Sequence, residues 1–270
     1  MKKFELTTDR IEENGTALYR IKSLIDFGNV KAGDLGGYVK KEENLSQYDN
    51  AWVYGNAWVF GNARVSGNAC VRDNACVYGN AWVSGNALVY GNAQVFGEAR
   101  VYENAQVLGN AWICDYARIF GNARMYDNTR IFDNALAFED ALVSESAFVY
   151  GNARIYSDAK VSGNARIGGS ACISGNAHIF GDALVCDNAW ICDNAQVSSD
   201  ADYIYLKGFG SHNRSTTMFR AKSGNICVSC GCFSGTLEEF ESKVKETHGN
   251  NKFAKEYLAL VEAAKIHFEV

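Results

Sequence analysis

The sequence predicts an all-β solenoid, and three observations carry that prediction. A six-residue unit runs from Val53 to Ala201 without an insertion or deletion. Its first position is Val, Ile or Met at 24 of 25 places, Ala137 being the exception, and its fifth is Ala at 24 of 25, broken only by Thr129. Proline is absent from all 270 residues, as a fold with nearly every backbone N–H in a ladder requires.

Helical periodicity cannot sustain a strict period of six, whereas short strands joined by tight corners can. The Ala and the aliphatic residue lie two positions apart, hence on one face of a strand, and point inward. The residue between them and the one after the aliphatic point outward. The fourth position is Asn or Asp in 21 of 25 units, usually after Gly. Both Gly and Asn tolerate left-handed backbone at low cost, so this pair is expected to make each corner.

These residues resemble the hexapeptide-repeat family of left-handed parallel β-helices, with the match running over roughly 51–201. One departure is that the position after the aliphatic residue, often Gly in that family, is aromatic in 13 of 25 units. The resemblance implies a triangular prism of about eight coils with three units each, roughly 38 Å tall at about 4.8 Å per rung. It also implies a hand opposite to the usual crossover rule.

Residues 18 apart then form columns. One outer column carries Phe60, Tyr78, Phe96, Cys114, Phe132 and Tyr150; another carries Tyr102, Phe120, Phe138 and Tyr156. Apolar ladders of this length exceed what a monomer ordinarily leaves in water. They are expected either to stack on themselves or to form the faces of a homo-oligomer, by resemblance a trimer with parallel axes. A third column, before each aliphatic, carries Arg64, Trp82, Arg100, Arg118, Leu136, Arg154, Cys172 and Trp190.

A solenoid needs closed ends. Residues 1–50 read as an N-terminal β cap: "KKFELTTDRI" and "TALYRIKSLIDF" are alternating strands, with turns at Asn14-Gly15 and Gly36-Gly37, leading without a linker into the prism of 51–202. From Tyr203 the pattern stops. Residues 203–270 read as a small α+β module, a β-hairpin over "TTMFRAK" and "ICVSCGCF" followed by two helices. Thr236 and Glu239 form a capping box, Leu237, Phe240 and Val244 share a face, Gly249 stops the first helix, and Phe253, Tyr257, Leu260, Val261 and Ala264 stripe the second. Both end modules also resemble those of bacterial and prophage proteins in which "GDLGG" precedes such units and "CGCF" with "GTLEEF" follows them.

The formal charge of −5 divides as −1 over 1–52, −6 over 53–202 and +2 over 203–270. No face is basic enough to track a nucleic-acid backbone. No export signal or long apolar run appears, so a cytoplasmic protein without membrane contact is expected. Its nine cysteines should then be reduced.

Candidate chemistry is sparse. The best-known proteins of the resembled family are acyltransferases that hold coenzyme A thioesters between subunits and use a histidine base. This prism contains one histidine, His178, flanked in its column by Lys160 and Gln196, and no interrupting loop. Zinc carbonic anhydrases of the same fold use three histidines, which the prism lacks. Cys227, Cys230 and Cys232 include half of a metal-binding pattern without the other half, so no metal or cofactor is called for. Cys232 lies just ahead of a helix, where a thiolate is favoured. The segment "GFGSHNRSTTMFR" gathers Ser211, His212, Arg214, Thr216, Thr217 and Arg220, donors suited to a small anion. The consensus weakens around Met125, Thr129, Ala137 and Glu145, a place for a groove or for drift. Three functions follow: a non-catalytic oligomeric binding scaffold, an acyltransferase, or a protein that sequesters a nucleotide or other anion. The first is preferred, because the repeat lacks what the second requires.

Overall fold

The computed structural model describes residues 2–13 and 15–270. Asn14 of the expected first turn lies outside them. Strands β1 (Phe4–Glu13) and β2 (Thr16–Ser23) form an antiparallel hairpin, and β3 (Leu35–Val39) pairs antiparallel with β2 and parallel with Trp58–Val59. The cap is thus a direct extension of one prism face.

The prism consists of two-residue strands β4 (Trp52–Val53) to β28 (Gln196–Val197), arranged in three parallel columns. The longest holds nine of them, so the solenoid has eight full coils and one further strand. Each strand bonds to the one 18 residues on, from Val53 with Val71 to Ile179 with Val197. The ladder is regular: Trp52 N–H donates to Ala69 O at 3.0 Å and Tyr54 N–H to Val71 O at 2.8 Å. The inward Ala and aliphatic residues are buried, and one apolar cluster runs from Phe4 through the prism to Phe219.

The corners differ from the expectation in one respect. Only the third position is left-handed, in every unit but the last, where Ser199 is extended; it is usually Gly, and elsewhere it is Asp, Glu or Ser, as at Asp73 (φ 63°) and Glu103 (φ 59°). The Asn at position four uses its side chain instead. Asn50, Asn68, Asn86, Asn104 and Asn122 form an amide ladder with Nδ2 to Oδ1 distances of 2.9–3.1 Å, ending on Asp140. Carboxylates at position three take the corner N–H one coil further on, Glu103 from Gly121 (2.8 Å), Glu139 from Ser157 (2.9 Å) and Glu145 from Gly163 (2.7 Å). Acidic residues therefore replace Gly by supplying an acceptor the corner lacks.

The interior of the irregular coil is filled, while Arg124, Asp140 and Leu142 on its outer face border a shallow groove. Met125, Thr129 and Ala137 are all buried in a single turn of the prism. Two residues larger than the consensus offset one that is smaller, so the interior keeps its volume, as close packing demands. The cost is the Thr129 hydroxyl, which is buried without a hydrogen-bond partner.

The C-terminal module is larger in β-structure than a hairpin. Strands β29 (Tyr203–Phe209), β30 (Arg214–Arg220), β31 (Ile226–Cys230) and β32 (Phe233–Thr236) form a four-stranded antiparallel sheet in sequence order. Tyr203–Phe209 alternates too weakly to be read as a strand, yet it pairs with β30 over its length. Helices α1 (Leu237–His248) and α2 (Lys252–Phe268) bury Leu237, Phe240 and Val244, and Tyr257, Leu260, Val261 and Ala264, against it. Thr236 caps α1 through Glu239 N–H at 3.2 Å, and Gly249 ends it at φ 56°.

Both prism ends are blocked by specific bonds. At the first coil the buried Lys3 ammonium donates to the carbonyls of Tyr48, Asp49 and Ala51 at 2.9–3.3 Å. At the last, Thr217 Oγ1 accepts the Trp190 N–H at 3.0 Å, and Lys222 N–H donates to Asn194 O at 2.9 Å. Among the described residues, no helix is long and apolar enough to cross a membrane.

Candidate functional site

The outward column containing His178 lines a shallow groove of about 780 Å³ with Arg124, Asp140, Asp158, Lys160 and Lys222. Pairing places His178 between Lys160 and Gln196. Its Nε2 lies 3.1 Å from Ser162 Oγ, and its ring stacks on Phe180 at 4.7 Å. Burial, reinforced by Lys160, lowers its pKa below the ordinary 6.5 despite an opposing pull from Glu145. The imidazole is therefore neutral near pH 7.

A neutral imidazole on a serine hydroxyl has the composition of a general-base pair. Its geometry is generic to the prism, however. Trp82 Nε1 donates to Ser66 Oγ at 3.1 Å and Trp190 Nε1 to Ser174 Oγ at 3.4 Å, both spanning 16 residues as the His178–Ser162 contact does. A long side chain before the aliphatic residue leans onto the hydroxyl diagonally behind it, whatever its chemistry. No carboxylate is bonded to the other ring nitrogen among the described residues.

The donors expected to gather around 211–220 are separated by the hairpin. Ser211 and His212 sit exposed in the turn before β30. Thr216 and Thr217 are buried, the first bonded to Cys230 Sγ at 3.2 Å and the second capping the prism. Arg220 pairs with Asp202 at 3.5 Å and donates to Phe268 O at 3.3 Å, while Arg214 passes beside Gly231.

The cysteines do not converge. Cys227 packs toward the prism, Cys230 is buried under the helices and Cys232 is exposed. Cys232 lies in the turn between β31 and β32, not in the strand expected over "ICVSCGCF". All nine thiols are free, and no group of His, Cys, Asp and Glu among the described residues could hold a metal. Burial pushes the prism thiols Cys76, Cys114 and Cys192 up to about 12.

The aromatic columns are stacked ladders. Phe60, Tyr78 and Phe96 lie 5.1 and 4.9 Å apart at 3–4°, Tyr102, Phe120, Phe138 and Tyr156 are each 5.0 Å apart at 3°, and Phe132 meets Tyr150 at 5.5 Å. Stacking leaves these rings half-buried. The apolar groups most open to solvent on the prism are Tyr116, Trp82, Trp190 and Trp112, at 40–62%.

Sequence reasoning missed one groove. Ile11 and Tyr38 of the cap overhang Trp58, Phe60 and Tyr78 to enclose about 850 Å³. Its walls come from segments distant in sequence and no local pattern announces it.

Residues 83–97 are similar to a family model described as the YdcK Beta solenoid repeat. No curated protein matches the chain. The stretch matched lies within the prism, and together with the three parallel columns it supports a β-solenoid repeat protein.

Proposed function

We propose that this chain is a non-catalytic binding scaffold that associates with copies of itself through its prism faces, as a trimer with parallel axes. The observation that carries the reading is the indole and phenol surface left outside the ladders: Trp82, Trp112, Trp190 and Tyr116 remain substantially open on straight faces that no loop interrupts. Exposed aromatic groups of this kind are enriched in interfaces, and straight faces about eight rungs long allow parallel copies to meet along their whole length. The ladder rings Phe60, Tyr78, Phe96, Tyr102, Phe120, Phe132, Phe138, Tyr150 and Tyr156 would border such contacts. Against catalysis stands the generic nature of the His178–Ser162 contact.

Light scattering and native mass spectrometry test the assembly. A trimer at micromolar concentration that dissociates in Trp82→Ser with Trp112→Ser supports it; a monomer across that range removes it. Acetyl transfer to a broad panel of acceptors tests the absence of catalysis. Any turnover lost on His178→Ala, with folding intact, would place the chain among acyltransferases instead.

A further inference from the structure

Of the cations on the prism, Arg100 and Arg118 alone face one another directly across a strand pair. In the same column Arg64 meets Trp82, Arg118 next meets Leu136, and Arg154 lies between Leu136 and Cys172. Like charges on directly opposed residues destabilise a sheet, so this pair runs against the logic of its neighbours. Among the described residues neither guanidinium has an acidic partner within ion-pair distance. Glu103, at the adjoining corner, is committed to the Gly121 N–H at 2.8 Å.

The diagonal lean described for Trp82, His178 and Trp190 sets Arg100 beside Ser84 and Arg118 beside Tyr102. These four residues and Trp82 enclose a pocket of about 170 Å³. Arg100 lies over the Trp82 ring, 5.9 Å from its centroid, which fixes one wall. Neither the Ser84 nor the Tyr102 hydroxyl has a hydrogen-bond partner among the described residues. Burial, with Glu103, raises the Tyr102 pKa while Arg118 and Arg100 pull it down; the phenol stays protonated and available as a donor. At about 30 Å³ per water, the pocket holds a handful of waters, enough for one tetrahedral group and too little for a nucleotide.

We propose that Arg100 and Arg118, with the hydroxyls of Ser84 and Tyr102, bind a tetrahedral oxyanion, either inorganic phosphate or the phosphoryl group of a monoester. Two guanidinium forks and two hydroxyls complement an oxyanion's acceptors in number and charge, and the anion removes the repulsion between the arginines. The remainder of an ester would lie against Trp82. All five residues belong to one chain, so the site is complete without a partner copy; Trp82 and Tyr102 also lie on the face proposed for self-association, so the titration is made at concentrations where the chain is monomeric.

Calorimetric titration with inorganic phosphate and, in parallel, phenyl phosphate at low ionic strength tests the site. One saturable site per chain is expected, weakened at least 10-fold in Arg100→Ala or Arg118→Ala and unchanged in Arg154→Ala. Arg118→Lys, which keeps the charge but loses the fork, should bind about 3-fold or more weakly with an unchanged circular dichroism spectrum; this arm serves if the alanine variants misfold. Tighter binding of phenyl phosphate identifies an ester as the natural ligand, and equal binding identifies the free anion. The proposal is overturned by an absence of saturable binding, by an equal loss in Arg154→Ala, or by arginine variants that dissociate an oligomer without affecting phosphate.

Discussion

Replacing Thr129 by Val is expected to stabilise the protein. The Thr129 hydroxyl is fully buried and has no hydrogen-bond partner, a defect that costs about 1–3 kcal/mol. Valine keeps the branched shape and removes the polar atom, so a net gain of about 1 kcal/mol is reasonable, equivalent to about 2–4 °C in Tm for a chain of this size. Thr129→Ala separates polarity from volume. It also removes the hydroxyl, but deletes a methyl worth about 0.8 kcal/mol and leaves a cavity of roughly 25 Å³ costing about 0.6 kcal/mol. It should therefore end near wild type. Urea titration followed by circular dichroism measures both. The order expected is valine above alanine and wild type; a valine variant less stable than wild type would refute the claim that the hydroxyl is unpartnered.

Ala123→Leu forces a large side chain into a filled interior and should cost about 1–3 kcal/mol or more, whereas Leu at the neighbouring exposed Arg124 should cost far less; equal losses in urea midpoint would invert the inside–outside assignment. A methyl on Gly121 (φ 67°) would sit 2.6 Å from the Glu139 backbone nitrogen, so Gly121→Ala should destabilise, and Gly121→Asp should be the milder change because its carboxylate can take the next corner N–H; a thermal melt ranking Ala above Asp would contradict this. Burial lowers the Lys3 pKa from 10.5 to about 8. The unfolded chain then binds more protons between those values, and stability from this group rises as pH rises from about 8 toward 10.5. The difference between wild type and Lys3→Met, which cancels other titrations, should show that slope in denaturation at stepped pH; a flat difference would mean that the ammonium is not desolvated.

The prism was legible because one physical requirement repeats at each step: an inward small residue, an inward branched one and a left-handed corner. Position three was harder to interpret, since the backbone freedom of glycine is absent where Asp73, Glu103 or Glu145 stands. Those acids make sense only once the N–H one coil away is seen. The cap's contribution to the Trp58 groove and the strand at Tyr203–Phe209 depend on long-range pairing that leaves no period in the sequence. The same limit applies to 211–220. Its composition suggested donors gathered in one loop, but β30 sends Thr216 and Thr217 to opposite faces of a sheet covered on both sides, one toward Cys230 and the other onto the prism, while Ser211 and His212 stay outside in the preceding turn. The arginine pair was visible as a column; the pocket around it needed the diagonal lean of side chains, which only coordinates reveal.

The fixed bonding interval gives this molecule the properties of a measuring rod. Each coil repeats its neighbour's hydrogen bonds at an offset of 18 residues, while the cap and terminal module pack at the two ends, the cap overhanging the first few coils. In-register gain or loss of 18 residues would leave every remaining junction chemically familiar and change length alone, by about 4.8 Å. A gene of this kind can vary reach by unequal recombination between its own repeats, whereas a slip of 6 or 12 residues would move each outer column to another face, and a slip that is not a multiple of six would put a polar corner where the interior needs an alanine.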